Sequence, residues 1–200
     1  MPICRRWPPA CETTPRRCLA DAVMRTDSTF TLWFTGLSGA GKTTLAQALS
    51  RTLNDSGRRC AVLDGDVLRR GLNRDLDFST PGRSENIRRT AEVARLMNDA
   101  GLIVVAALIS PSRADRAQAS AIVGPQRFLE VHVSTPLAVC EAADVKGLYR
   151  RARQGDLPLF TGISAPYEAP EAPWLAIDPM RRGLQPAVRE LLERIGSTAP

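Results

Sequence analysis

The run Gly36-Leu37-Ser38-Gly39-Ala40-Gly41-Lys42-Thr43-Thr44 has the spacing G-x-x-x-x-G-K-[ST]. Gly36, Gly39 and Gly41 let the chain bend where a Cβ would oppose it, so successive N–H groups can turn inward around a phosphate. Lys42 would reach the β- and γ-phosphates of a nucleoside triphosphate, and the Thr43 hydroxyl is a hard oxygen ligand for Mg²⁺. Further on stands Asp64-Gly65-Asp66. Phosphoryl transfer to a hydroxyl needs one carboxylate near the metal and one able to accept the hydroxyl proton, and this pair could supply both. The competing reading is an Asp-Gly turn. Its position beside a phosphate loop favours the chemistry.

Two further segments carry chemistry of lower specificity. Phe78-Ser79-Thr80-Pro81-Gly82-Arg83-Ser84-Glu85-Asn86 is a polar loop running into a segment with Arg88 and Arg89. Arginines at a helix start oppose its dipole, so an anion is expected near them, and Phe78 in polar surroundings suits stacking on a base. An arginine-rich solvated helix face is the alternative. Lys146-Gly147-Leu148-Tyr149-Arg150-Arg151-Ala152-Arg153, followed by Phe160-Thr161-Gly162-Ile163, reads as a basic helix and a glycine turn bearing an aromatic. It could be a lid bringing cations to a triphosphate, or a plain surface helix. His132, the one histidine, lies among apolar neighbours and reads as structural.

The elements that must hold these residues alternate between strand and helix from Phe30 onward. Phe30–Phe34, Cys60–Leu63, Leu102–Ile109 and Phe128–Val133 are apolar runs of strand length. Helical spacing runs from Leu45 to Leu49, from Ser84 to Ala100 with Gly101 closing it, and from Arg113 to Ile122. Val188, Leu191, Leu192 and Ile195 form a late packing stripe. This pattern predicts a three-layer α/β domain over residues 29–200, with a mostly parallel sheet covered on both faces. Its loops after the strand ends would gather the ligand.

Residues 1–28, rich in Arg, Pro and Thr, read as a basic tail without periodicity. Net charge is +6, yet no basic block interleaved with aromatics points to nucleic acid, and anionic small substrates account for the arginines. The 5 cysteines follow no zinc spacing and read as free thiols of a reducing compartment. No apolar run has membrane-spanning length and no signal-peptide core is visible, so a cytoplasmic protein is expected.

In order along residues 30–180, these segments resemble the adenylylsulfate kinase (APS kinase) family, which uses ATP to phosphorylate the 3′-hydroxyl of adenosine 5′-phosphosulfate. The matching stretches are Gly36–Thr44, Leu63–Asp66, Phe78-Ser79 with Arg83 and Glu85–Arg89, Ile109-Ser110-Pro111, Thr135–Leu137 with Cys140-Glu141, Lys146–Arg153 and Phe160–Ile163. The resemblance implies a P-loop kinase fold with a helical lid, ATP as co-substrate and Mg²⁺ as cofactor. It implies that Lys42, Thr43 and Asp64 serve ATP and the metal, and that Asp66 faces the 3′-hydroxyl. Arg69, Arg83 and Asn86 would grip the phosphosulfate, and Phe78 and Phe160 would sandwich the acceptor adenine. Ile109 and Ser110 would line that pocket, Lys146 and Leu159 would close over it, and Ser110 is sometimes given a phosphorylated intermediate. A homodimer and an ATP sulfurylase partner are also implied.

Four positions depart from the family pattern: Val67 stands for asparagine, Gly82 for aspartate, Ser112 for tyrosine, and Ala143 for an arginine that would pack on the ATP adenine. Two rivals therefore stay open: a P-loop kinase of another small hydroxyl substrate, and a nucleotide-binding subunit without turnover.

Overall fold

Alternation along Thr31-Leu32-Trp33-Phe34-Thr35 divides the molecule into two cores, because successive strand side chains face opposite ways. The structure, a computed structural model, describes residues 29–198, so the expected basic tail lies outside the described residues. Strand β1 (Thr31–Thr35) is wholly buried and central in a five-stranded sheet of order β2-β3-β1-β4-β5. The others are β2 (Cys60–Asp64), β3 (Ile103–Ala107), β4 (Phe128–Val133) and β5 (Leu175–Ile177), and every pairing is parallel. Parallel neighbours need crossovers, and the helices provide them on both faces.

Leu32 and Phe34 join Ile103, Val105, Val131 and Val133 in one core, covered by α1 (Lys42–Asp55) and α8 (Leu184–Thr198). Leu45, Leu49, Val188, Leu191 and Ile195 fill that layer. Trp33 points to the other face with Val104 and Ala106, beneath α3 (Thr80–Asp99) and α4 (Arg113–Val123), through Ile87, Ala91, Ala94, Ala119 and Val123. Short helices α2 (Gly65–Leu68), α5 (Leu137–Ala143), α6 (Leu148–Arg153) and α7 (Pro179–Arg182) fill the connections.

The four strands and three long helices expected from periodicity are present, with bounds shifted by a few residues. Helix α3 starts at Thr80 rather than Ser84, because the Ser79 side chain caps Gly82 N and Pro81 sits in the first turn. Strand β5 and helices α2, α5 and α7 carried no periodic signal. The central strand lies between β3 and β4, which the chain reaches at different times, so the crevice beyond its carboxyl end is a switch point where ligands collect.

Candidate active site

The glycine loop leaves β1 and enters α1 at Lys42. Two of its glycines are obligatory. A Cβ on Gly36 would lie 2.5 Å from the Val133 carbonyl oxygen, and Gly41 has φ 95° as the residue before the helix. Thr135 Oγ1 donates to Ala40 O (3.0 Å) and Tyr149 Oη to Ser38 O (2.8 Å), so α6 and the turn after β4 both pin the loop.

Lys42 is 8% exposed, and its Nζ donates to the carbonyls of Gly36 (2.9 Å) and Leu37 (2.6 Å). Burial lowers its pKa from 10.5 to about 8, against the opposing pull of nearby groups such as Asp66 and Asp64. Thr43 Oγ1 donates to Asp64 Oδ2 (2.6 Å), while Asp64 Oδ1 accepts from the Asp66 and Val67 N–H groups (2.9 and 3.3 Å). Asp64 is thus a helix cap and the hydroxyl's partner at once. The Asp66 carboxylate is held by Lys146 Nζ, in an ion pair with both side chains more than half exposed.

These groups share one cleft of about 280 Å³. Its lining takes in Ser38, Gly39, Gly41, Lys42, Thr43, Thr44, Asp64 and Asp66 from one half of the expected site. From the other half come Arg69, Phe78, Arg83, Asn86, Ile109, Ser110 and Lys146. Gly36, Leu37, Ala40, Leu159 and Phe160 lie outside that lining. The aromatic pair is therefore not seen as a sandwich. Phe78 is exposed with the Arg69 guanidinium 4.2 Å from its ring centroid, and Phe160 meets Tyr149 edge-on at 5.1 Å. Arg83 links the two loops, donating to Phe78 O (2.8 Å), Leu159 O (2.8 Å) and Thr161 Oγ1 (3.1 Å). Burial lowers the pKa of both Arg69 and Arg83, with Asp77 and Asp66 opposing at Arg69. Asn86 Oδ1 accepts from Asn73 Nδ2 (2.9 Å), so the buried Asn73 backs Asn86 in the cleft wall.

The anion expected near Arg88 and Arg89 is replaced by carboxylates of the protein itself. Both pair with Glu85, and Arg89 also pairs with Asp75 (2.8 Å). Both sit more than two turns into α3, past the start where the dipole argument applies. Of the basic segment, Lys146 is the cation in the lining, while Arg153 pairs with Glu141 (2.8 Å). His132 stacks on Tyr167 (5.9 Å), and burial beside Arg116 lowers its pKa, in keeping with a structural role.

Two departures from the family pattern have local explanations. A Cβ at Gly82 would run into both the carboxylate of Asp77, which accepts from Ser79 N and Oγ, and its backbone carbonyl oxygen (2.7 Å), so Asp77 fills the space a residue 82 side chain would need. Ser112 caps α4 by accepting from Asp115 N (3.3 Å). Val67 is 61% exposed and Ala143 ends α5; nothing here compensates for either. Reading the sequence missed Gly65, Ile87, Ala107, Leu108, Pro111 and Val145 in the lining, and Trp33, Thr35 and Arg116 behind it.

A phosphate loop on the central strand of a parallel sheet, with its lysine and an Asp-Gly-Asp turn opening on one cleft, is the arrangement of a P-loop kinase, and this chain belongs to that class. The family model described as Adenylylsulphate kinase matches residues 28–178. The adenylyl-sulfate kinase of Shewanella denitrificans is 58% identical over 161 residues, 80% of this chain and 78% of the relative. That of Bacteroides fragilis is 56% identical over 162 residues, 81% and 80% of the two chains. The solved APS kinase CysC of Mycobacterium tuberculosis, in complex with AMPPNP and APS, superposes with a TM-score of 0.82 at 43% identity, covering 84% of this chain and 98% of that one. The chain belongs to the adenylylsulphate kinase family.

Proposed function

We propose that this protein transfers the γ-phosphoryl group of ATP to the 3′-hydroxyl of adenosine 5′-phosphosulfate, giving ADP and 3′-phosphoadenosine 5′-phosphosulfate. One observation carries the reading: a single cleft is lined both by the phosphate loop with Lys42 and by Arg69, Phe78, Arg83 and Asn86, with Asp66 in the same lining. A phosphate-binding half and a half suited to an anionic, aromatic acceptor meet around a carboxylate.

In this mechanism Lys42 leaves the Gly36 and Leu37 carbonyls for the triphosphate, whose charge favours its protonated form. Asp66 exchanges Lys146 for the acceptor hydroxyl. The 3′-oxygen then bonds to the γ-phosphorus as the bond to the β,γ-bridging oxygen breaks. ADP leaves with that electron pair, and Asp66 takes the hydroxyl proton. Arg69 and Arg83 face the phosphosulfate, Phe78 and Phe160 offer aromatic surface to the adenine, and Lys146 and Leu159 shield the site.

Thr43 and Asp64 suit Mg²⁺, since a hydroxyl and a carboxylate already 2.6 Å apart form an oxygen-only donor set, and this ion takes few protein ligands beside phosphates. When bound, Mg²⁺ offsets charge on the phosphates. Ser110 acts as a hydrogen-bond donor rather than a phosphorylated intermediate: Trp33 Nε1 donates to its Oγ (3.0 Å), and in-line transfer needs no covalent stop.

The test is product formation from ATP, Mg²⁺ and adenosine 5′-phosphosulfate, with GTP in parallel. Turnover with ATP is expected. Turnover with GTP alone would locate the effect of Ala143 in the donor pocket, and binding without turnover of either would overturn the kinase reading in favour of a nucleotide-binding subunit. The implied homodimer and ATP sulfurylase association belong to the same reading and are checked by light scattering, alone and with the sulfurylase. No helix among the described residues is long and apolar enough to cross a membrane.

A further inference from the structure

Ser110 and Leu159, neither of them glycine, have left-handed φ, 40° and 57°. Such a backbone persists only where its surroundings over-determine it. In both cases a guanidinium grips the carbonyl. Arg83 holds Leu159 O (2.8 Å) from within the cleft, and Arg116 Nη1 holds Ser110 O (2.6 Å) from behind it.

Arg116 is 3% exposed and also donates from Nε to Glu130 Oε1 (2.5 Å) and from Nη2 to Glu168 O (2.7 Å). Burying an ion pair is often no better for stability than packed apolar side chains, so what distinguishes Arg116 is the geometry it imposes. Its planar fork joins α4, β4, the Ser110 turn and the segment around Glu168 in fixed directions. Thr35 reinforces the turn, with Oγ1 2.8 Å from Ile109 O and 3.2 Å from Ser110 O. Because that single proton serves the carbonyls, Tyr167 Oη must be the donor in its 3.0 Å bond to Thr35. Trp33, at 0% exposure, donates Nε1–H to Ser110 Oγ. With that lone pair used, the hydroxyl proton of Ser110, which lines the cleft, is free to point into it.

We propose that Arg116 and Trp33 are positioning residues of the acceptor side: Arg116 locks the left-handed Ser110 turn, and Trp33 turns the Ser110 hydroxyl into a donor toward the bound acceptor nucleotide. The identity of that nucleotide rests on the function proposed above; the rigidity of the turn does not.

Hydrogen–deuterium exchange on the substrate-free protein reads the turn, and steady-state kinetics read its consequence. Lysine cannot reproduce a three-way fork, so Arg116→Lys should speed exchange over residues 107–113 by about tenfold or more, the loss expected for a charge-assisted hydrogen bond. Exchange over residues 37–44 should stay within about twofold, as should KM for ATP, while KM for adenosine 5′-phosphosulfate rises about tenfold. Trp33→Phe keeps an aromatic and removes the N–H; it should raise the acceptor KM several-fold with KM for ATP unchanged. Uniformly faster exchange across the domain, or parallel rises in both KM values, would make Arg116 a structural residue only and overturn the proposal. Should Arg116→Lys fail to fold, an unchanged acceptor KM in Trp33→Phe overturns it. Absence of turnover in the unaltered protein counts against the proposed function, and the exchange comparison still decides the turn.

Discussion

Lys42→Met should make the protein more stable while removing its activity. The lysine is 8% exposed and its pKa falls from 10.5 in the open chain to about 8 in the fold, first of all because burial penalises the ammonium. At about 1.4 kcal/mol per pH unit, this corresponds to about 3 kcal/mol of destabilisation carried by the charged form. Its bonds to the Gly36 and Leu37 carbonyls offset about 1 kcal/mol of what methionine would recover, so a net gain of about 2 kcal/mol is expected at pH 7. The sign with pH follows from linkage. Between about 8 and 10.5 the unfolded chain binds the proton and the folded one does not, so this group makes stability rise with pH there. The advantage of Lys42→Met is thus full below pH 8 and gone by about 10.5. Urea titrations of both proteins from pH 7 to 10.5 measure it. A variant less stable at pH 7, or a difference indifferent to pH, would refute the account of Lys42 as a buried cation held against its preference for water.

Asp66→Asn removes the proton acceptor and leaves a side chain of the same shape, so turnover should fall by about 10² to 10⁴ with binding of a non-hydrolysable ATP analogue unchanged by calorimetry; undiminished turnover would exclude Asp66 as the base. Gly82→Asp should cost about 2 kcal/mol in chemical denaturation, because its Cβ meets both the carboxylate and the backbone carbonyl of Asp77, and adding Asp77→Gly should restore only the share due to the carboxylate. Simple additivity of the two changes would show that they do not share that space. Glu85 has its pKa lowered to about 2 by hydrogen bonds from Arg88 and Arg89. Its contribution is therefore present above about 4.5 and lost as pH falls toward 2, so Glu85→Gln should flatten the acid limb of the stability profile, less so at high salt. Superimposable acid limbs would count against that pairing in solution.

The parts of the fold legible in the sequence were those with a local cause. Helix α1 announces itself through the glycines before it and the stripe Leu45, Ala46, Leu49, Leu53, all buried. Strand β3 is apolar throughout because both its faces are covered. Strand β5 has three residues, Leu175–Ile177, amid prolines and glutamates, and exists because β4 offers it an edge through Val131, His132 and Val133. Nothing within those three residues encodes that partner. The anion expected at Arg88 and Arg89 failed for a related reason: their charge is answered by Glu85 three and four residues away, a pairing the helix makes whenever it forms.

The candidate site divides along the same line. Its phosphate half is contiguous in sequence, so spacing alone reveals it. Its acceptor half is drawn from loops that only the sheet brings together, and the residues behind it bond across long separations: Thr35 to Tyr167 spans 132 positions and Trp33 to Ser110 spans 77. One signal was available. Arg116 falls on the buried stripe of α4 with Ala119 and Val123, at spacings of three and four. An arginine on an apolar stripe must satisfy its donors inside the protein, because burying it unpaired would cost several kcal/mol. From the stripe alone it follows that Arg116 meets acceptors beneath α4, on the face that carries Trp33. Which acceptors it meets depends on the left-handed turn at Ser110, and a non-glycine residue gives no notice of such a turn until the fold compels it.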